Sequence, residues 1–276
     1  FLCPTTLLSM QHYQNAINRF KNFNIRIEVL NRFKTNKEIE KILKDLKAGK
    51  IDLLIGTHRM LSNDVIFNDL GLLIVDEEQR FGVEHKEKIK ELKNSIDVLT
   101  LSATPIPRTM QLSLIGIRSL AQITTPPLKR MPIQTYVVEK NPRLIKEVIE
   151  REIGRGGQVF YLRNNTSDLS SIAFRIEHEI KGAKVGIIHG KMPREAIEET
   201  TYDFYNNKIN VLVSTTIIET GIDIPNANTM IIEDADRFGL SQLYQIKGRV
   251  GRSDRIAYAY LLYNPKRKMS DVAHNR

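Results

Sequence analysis

Leu72-Leu73-Ile74-Val75-Asp76-Glu77-Glu78-Gln79-Arg80-Phe81-Gly82 is a short apolar run that ends abruptly in acids. Such a run reads as a buried parallel strand that delivers carboxylates to the C-terminal edge of its sheet, where α/β folds place their ligands. In phosphate-transferring sites of this kind the first acid, here Asp76, holds Mg²⁺, which takes oxygen ligands and keeps several waters. Glu77 could then polarise the water that attacks the terminal phosphate. A strand followed by a charged, solvated turn has the same local pattern, so the surrounding sequence decides.

The chain has 276 residues, 41% of them hydrophobic and 26% charged, which suits a globular protein of about two domains. A net charge of +9 favours an anionic partner, nucleic acid before membrane, since no basic amphipathic anchor is apparent. The single cysteine, Cys3, excludes an intrachain disulfide and a cysteine-rich metal site, and fits a reducing, cytoplasmic setting. No apolar run approaches the ~20 residues needed to span a bilayer. The start, Phe1-Leu2-Cys3-Pro4, lacks Met and a charged leader and reads as the end of a strand, so the chain is expected to be a fragment.

Leu2 closes that strand, and Pro4-Thr5-Thr6 turns into a helix carrying Leu7, Leu8, Ile17 and Phe20. The hydroxyls and first-turn N–H groups suit a phosphate, while a plain N-cap by Thr5 or Thr6 explains them equally simply. Ile25–Leu30 alternates like a strand, and Lys37–Leu46 places Ile39, Ile42, Leu43 and Leu46 on one helical face ended by Gly49. A strand at Ile51–Ile55 runs into Gly56-Thr57-His58-Arg59, a second candidate phosphate contact; His58 has no second ligand at zinc-site spacing. After the acidic strand come a cationic helix, Glu84–Lys93, and a strand, Ile96–Leu101. That strand leads into Ser102-Ala103-Thr104-Pro105-Ile106-Pro107-Arg108-Thr109, a proline-stiffened turn that could sense the acidic pair.

Three prolines in Thr124–Pro132 mark a boundary, giving a first lobe at 1–124, a linker at 125–132 and a second lobe at 133–276. The second lobe repeats the βα rhythm: strands at Ile133–Val138, Gln158–Leu162, Val185–Ile188, Val211–Ser214, Thr229–Glu233 and Tyr258–Leu262. Helices are expected at Arg143–Ile153, Asp168–Ile180, Arg194–Asn206 and Leu240–Arg249. The class is therefore α/β with doubly wound, mostly parallel sheets, the first lobe incomplete at its start. Within the second lobe, Thr215 and Thr216 suit a nucleic-acid phosphate, and Asp223, two residues after Gly221, could accept from a ribose hydroxyl. Gln245-Ile246-Lys247-Gly248-Arg249-Val250-Gly251-Arg252 sets two arginines three apart, expected on one side of a helical turn, with guanidinium forks that match phosphate oxygens.

Taken in order, Pro4-Thr5-Thr6, Gly56-Thr57-His58, Asp76–Gln79, Ser102-Ala103-Thr104, Thr215–Pro225 and Gln245–Arg252 resemble the motifs of superfamily 2 helicases and translocases, from motif Ia to motif VI. The stretches Asp76–Val83, Thr104–Thr109 and Thr215–Asp223 resemble the translocase module of the bacterial transcription-repair coupling factor family, with the RecG fork-remodelling helicases next. The resemblance implies two RecA-like lobes with ATP between them. It assigns Asp76 to Mg²⁺, Glu77 to the hydrolytic water, and Gln79 with Ser102, Ala103 and Thr104 to coupling. Arg249 and Arg252, beside Gln245, would reach the γ-phosphate, with Gly221 and Asp223 also at the nucleotide. Thr5, Thr6, Gly56, Thr57, His58, Thr215 and Thr216 would contact duplex DNA.

The implied parent is an ATPase that tracks double-stranded DNA, displaces stalled RNA polymerase and recruits excision-repair proteins through domains not in this chain. One departure stands out. No G-x-x-x-x-G-K-[ST] phosphate loop occurs in the sequence, so it is expected upstream of Pro4, and the chain alone is expected to be inactive.

Overall fold

The computed structural model describes residues 1–93, 96–102, 121, 123, 125, 132–216 and 224–267. The chain divides into two compact units, Phe1–Ile123 and Thr124–Arg276. Residues 126–131 of the expected linker lie outside the described residues.

In the first unit the elements run α1 (Thr6–Phe20), β1 (Ile27–Leu30), α2 (Asn36–Lys47), β2 (Leu53–Gly56), β3 (Leu72–Asp76), α3 (Val83–Lys93) and β4 (Asp97–Leu101). β1 pairs with β2 and β3 with β4, both parallel, with Ile27 opposite Leu53 and Leu72 opposite Asp97. Leu2 stitches the two pairs together through parallel bridges to Gly56 and Val75. Its N–H donates to the Ile74 carbonyl at 2.7 Å, and its own carbonyl accepts from the Asp76 N–H at 2.9 Å. The tracks therefore lie in the order β1, β2, Leu2, β3, β4, with every carboxyl end on one edge. Leu2, Leu30, Leu54, Leu73 and Val75 bury their side chains beneath that sheet with Ile42 and Leu46 of α2.

α2 shows how local chemistry sets these boundaries. Its apolar positions recur at helical spacing, and Thr35 caps it. The Thr35 hydroxyl accepts from the Glu38 N–H at 3.4 Å, while the Glu38 carboxylate accepts from the Thr35 N–H at 2.8 Å. Those bonds from Thr35, with Lys34 beside them, hold the Glu38 carboxyl down at about 2. A lowered carboxyl stabilises the fold above its ordinary value of 4.5, and that contribution is lost as pH falls through about 2. Thr35→Ala is expected to cost about 1 kcal/mol in urea unfolding at neutral pH. The penalty should shrink as pH falls across that acid window.

The second unit carries β5 (Gln134–Glu139), α4 (Pro142–Gly154), β6 (Gln158–Leu162), α5 (Leu169–Glu179), β7 (Val185–Ile188) and α6 (Arg194–Tyr205). β8 (Val211–Ser214), β9 (Ala227–Ile232), α7 (Leu240–Lys247) and β10 (Tyr258–Tyr263) follow. The six strands lie in the order β5-β10-β9-β6-β8-β7. Every neighbouring pair is parallel. β6, β8 and β9 are buried along their whole length, as near-continuous apolar runs in a sheet covered on both faces must be. On one face Val159 and Tyr161 of β6 pack with Ile149 of α4 and Ile172 of α5. On the other, Phe160 meets Phe204 of α6, ring centres 5.1 Å apart. This is the doubly wound α/β class.

Candidate functional site

The carboxyl edge of the first sheet collects the candidate catalytic groups. Asp76 ends β3, and Glu77 turns the chain in the left-handed region, φ 52 and ψ 49. That conformation costs a non-glycine residue about 1–2 kcal/mol and is held here by its surroundings. The Glu77 N–H donates to the Leu101 carbonyl at 3.0 Å, and a 3₁₀ turn over Glu78–Arg80 brings Phe81 back into the core. Arg80 Nε lies 3.6 Å from Glu77 Oε2, so the second acid has a cation at hand.

The Asp76 carboxylate is mostly sheltered, its side chain 18% exposed, and its Oδ2 lies 3.3 Å from His12 Nε2. Among the described residues no group of three or more His, Cys, Asp or Glu could hold a metal ion. A lone, half-sheltered carboxylate suits Mg²⁺, which binds through one or two carboxylates together with phosphate oxygens and water. Cys3 is buried nearby; burial pushes its thiol up to about 12, which excludes it as a nucleophile at neutral pH.

The threonines at this edge separate by burial. Thr5 is the N-cap of α1: its hydroxyl oxygen accepts from the Leu8 N–H at 3.3 Å, leaving the hydroxyl proton to donate. Thr6 and Thr57 are each 3% exposed, so their hydroxyls sit inside the fold. At Gly56 a Cβ would lie 2.4 Å from the Leu30 carbonyl oxygen and 2.7 Å from Met60 Cγ, so close packing alone requires glycine. His58 is exposed, its ring 5.3 Å from that of His85. Arg59 is forked onto Asp64 at 2.7 and 2.5 Å. Ser102 is exposed just beyond β4. The Gln79 side chain, Ala103, Thr104, Gly221 and Asp223 lie outside the described residues.

In the second unit Thr215 and Thr216 follow β8, both half-buried, the Thr215 N–H donating to the Ile188 carbonyl at 3.3 Å. The arginine motif departs from the helical face expected of it. α7 stops at Lys247 with Gly248 as its C-cap, and Arg249 and Arg252 lie in the turn and loop beyond. Gly251 adopts φ +74, with Ile133 and Ala257 carbons 3.1 and 3.2 Å from where a Cβ would stand, so the chain turns there instead of continuing the helix. Ile246 and Val250 are fully buried and anchor this turn. Arg252 Nε donates to the Gly248 carbonyl at 3.4 Å; Arg252 and Gln245 are exposed and Arg249 half-buried.

A feature missed in reading the sequence is an internal echo of the acidic stretch. Ile231-Ile232-Glu233-Asp234-Ala235-Asp236-Arg237-Phe238-Gly239 matches Ile74–Gly82 in its apolar pair, acid pair and Arg-Phe-Gly ending. The backbone repeats as well: Asp234 stands at φ 51 and ψ 44, followed by a 3₁₀ turn over Ala235–Arg237 and a buried Phe238. The chemistry then diverges. Glu233 is fully buried, accepts from Tyr161 and from Lys140 Nζ at 2.9 Å, and pairs with Arg163. Arg163 also reaches Asp168 at 2.7 Å and Asp234 at 3.4 Å. Burial opposes the charge on Glu233, but the Tyr161 and Lys140 hydrogen bonds and the two cations outweigh it and hold its carboxyl below the usual range. The second unit thus supplies protein cations to its acid, whereas among the described residues the side-chain contact of Asp76 is with His12.

Residues 1–112 match the DEAD/DEAH box helicase family, and residues 139–254 match the helicase conserved C-terminal domain. A transcription-repair-coupling factor of Staphylococcus aureus (strain USA300) is 53% identical over all 276 residues. The chain belongs to superfamily 2 of the helicases. A coupling factor of Staphylococcus haemolyticus is 51% identical over the same span, and the chain covers 24% of the length of either relative. Among solved structures, RecG bound to a three-way DNA junction superposes with a TM-score of 0.81 at 37% identity, covering 100% of this chain and 37% of that one. Saccharomyces cerevisiae Dbp5 bound to RNA and ADP BeF3 gives 0.66 at 17% identity over 99% of this chain and 72% of that one, a likeness of fold. No helix among the described residues of this helicase-family chain is long and apolar enough to cross a membrane.

Proposed function

We propose that this chain is motor machinery of an ATP-dependent translocase on double-stranded DNA, serving transcription-coupled repair. The observation that carries this reading is the 53% identity to a coupling factor across the whole chain. Displacement of stalled RNA polymerase and recruitment of excision repair would belong to other parts of a longer cytoplasmic protein. Asp76 holds the Mg²⁺ of MgATP, which neutralises phosphate charge when bound, and Glu77 orients the attacking water. Arg249 and Arg252, with Gln245, offer guanidinium and amide donors to the γ-phosphate, and Gly221 and Asp223 serve the nucleotide. Gln79 with Ser102, Ala103 and Thr104 relays hydrolysis to movement. Duplex contacts fall to Thr5, His58, Thr215 and Thr216, since the hydroxyls of Thr6 and Thr57 are buried.

Replication-fork remodelling is the second reading, favoured by the likeness to RecG on a three-way junction. The higher identity to coupling factors, 53% against 37%, places it second.

ATP hydrolysis with and without linear duplex tests the proposal, on this chain and on a form extended upstream by a G-x-x-x-x-G-K-[ST] segment. Activity is expected only in the extended form, raised by linear duplex. Much stronger stimulation by a three-way junction would favour fork remodelling, and silence from both forms would leave a DNA-binding module. Duplex affinity should fall with salt, with a log–log slope of about −0.9 for each phosphate neutralised by a lysine or arginine of this basic chain. A flat response would mean that no basic side chain meets a phosphate.

A further inference from the structure

We propose that His12 is a positioning residue that orients the Asp76 carboxylate for its metal ion. The proposal rests on the reading of Asp76 as the Mg²⁺ ligand. His12 Nε2 lies 3.3 Å from Asp76 Oδ2, a contact 64 residues apart in sequence. A carboxylate only accepts, so the contact is a hydrogen bond from the His12 Nε2–H to Asp76 Oδ2. No other side chain is seen to bond the Asp76 carboxylate among the described residues, which leaves Oδ1 as the oxygen to offer a cation.

The geometry around His12 is built rather than incidental. Asn31, just beyond β1, donates through Nδ2 to Ser9 Oγ at 2.9 Å, and Ser9 Oγ donates to the Thr6 carbonyl at 2.6 Å. Ser9 is 0% and Asn31 1% exposed, so this polar chain ties α1 to the sheet from inside. His12 lies three residues after Ser9 on the same helix, its ring 4.4 Å from that of Phe1. The Asp76 backbone is held separately, its N–H on the Leu2 carbonyl at 2.9 Å. With main chain and imidazole both fixed, the carboxylate has little freedom left. Outer partners of this kind orient metal ligands, and their loss commonly weakens metal affinity by about 10–100-fold.

Mn²⁺ titration of the 276-residue chain, read by paramagnetic broadening of its NMR signals, tests this without requiring hydrolysis. The parent should show broadening of the His12 ring at the lowest Mn²⁺ concentrations, lost in Asp76→Ala. His12→Ala should need about tenfold more Mn²⁺ for the same broadening around Asp76. His12→Gln, whose amide can donate from nearly the same place, should recover most of the loss. Unchanged affinity in His12→Ala would overturn the proposal. A His12→Gln variant as weak as His12→Ala, with unfolding as cooperative as the parent's, would overturn it too by reducing His12 to packing. If Asp76→Ala bound Mn²⁺ like the parent, the metal reading of Asp76 would itself fall.

Discussion

Arg252→Ala is expected to lower DNA-stimulated ATP hydrolysis by about 10³-fold or more, and Glu77→Gln by about 10²–10⁴-fold, in a form able to bind nucleotide. The two changes act on opposite needs of the reaction. Glutamine keeps the shape of Glu77 and the same Cβ in its left-handed backbone, yet its neutral amide cannot take a proton from water. Alanine at 252 removes a guanidinium that would otherwise meet charge building on the transferred phosphate. Arg252 is exposed and its Nε reaches the Gly248 carbonyl at 3.4 Å, a long bond and a weak hold on the turn. Its fold rests instead on Ile246, Val250 and Gly251. Arg252→Lys should retain part of the activity, since it keeps charge but loses the planar fork. Steady-state kinetics would check this: kcat should fall with KM for ATP little changed, and full kcat in either variant would remove that residue from the mechanism.

Glu233→Ala is expected to destabilise the second unit by about 3–5 kcal/mol, because it strands two cations beside a buried cavity. Lys140 is 32% and Arg163 16% exposed at their side chains, so the lysine recovers some hydration and the arginine little. Tyr161, fully buried, also loses the acceptor of its hydroxyl. Burial and the neighbouring carboxylate push that phenol well above its ordinary value, so it stays a neutral donor. Glu233→Gln should cost less, since its amide oxygen still accepts while the charge is gone. The Glu233 carboxyl is lowered, so the wild-type advantage is complete above the ordinary 4.5 and is lost as pH falls through the folded value. Urea unfolding of parent and variants at neutral and acid pH would show it. Equal midpoints at neutral pH would mean the cluster contributes nothing net.

Most of the architecture was legible because it depends on period. β6, β7 and β8 lie at the residues expected, since short apolar runs bounded by glycine, asparagine or helix caps have few other places to begin. α2 was legible from its apolar spacing, while the Thr35–Glu38 box that fixes its start went unread. Asp76 and Glu77 were conspicuous because acids after an apolar run break the pattern abruptly. The end of α7 was misplaced by two residues because Gly248 is tolerated within a helical pattern, and the stop is enforced by packing around Gly251. The second acidic turn was available as a repeated acid pair with Arg-Phe-Gly, but its partners differ from those of the first, and no local window contains them.

Local sequence was enough for the α/β class, for nearly every strand and helix, and to single out acid, hydroxyl and arginine groups as candidates for chemistry. Periodicity and capping act over a few residues, so the order of residues encodes them directly. Tertiary structure alone decided which of those groups face solvent and which are consumed by the fold. Thr5 and Thr6 are neighbours in sequence, yet one caps α1 at the surface and the other is buried. Asp76 and Glu233 end equivalent strands, yet one meets His12 from α1 and the other meets Lys140 and Arg163. Those partners lie tens of residues away: Lys140 and Arg163 follow parallel strands whose carboxyl ends share an edge with Glu233, and His12 arrives on α1 packed against its own sheet.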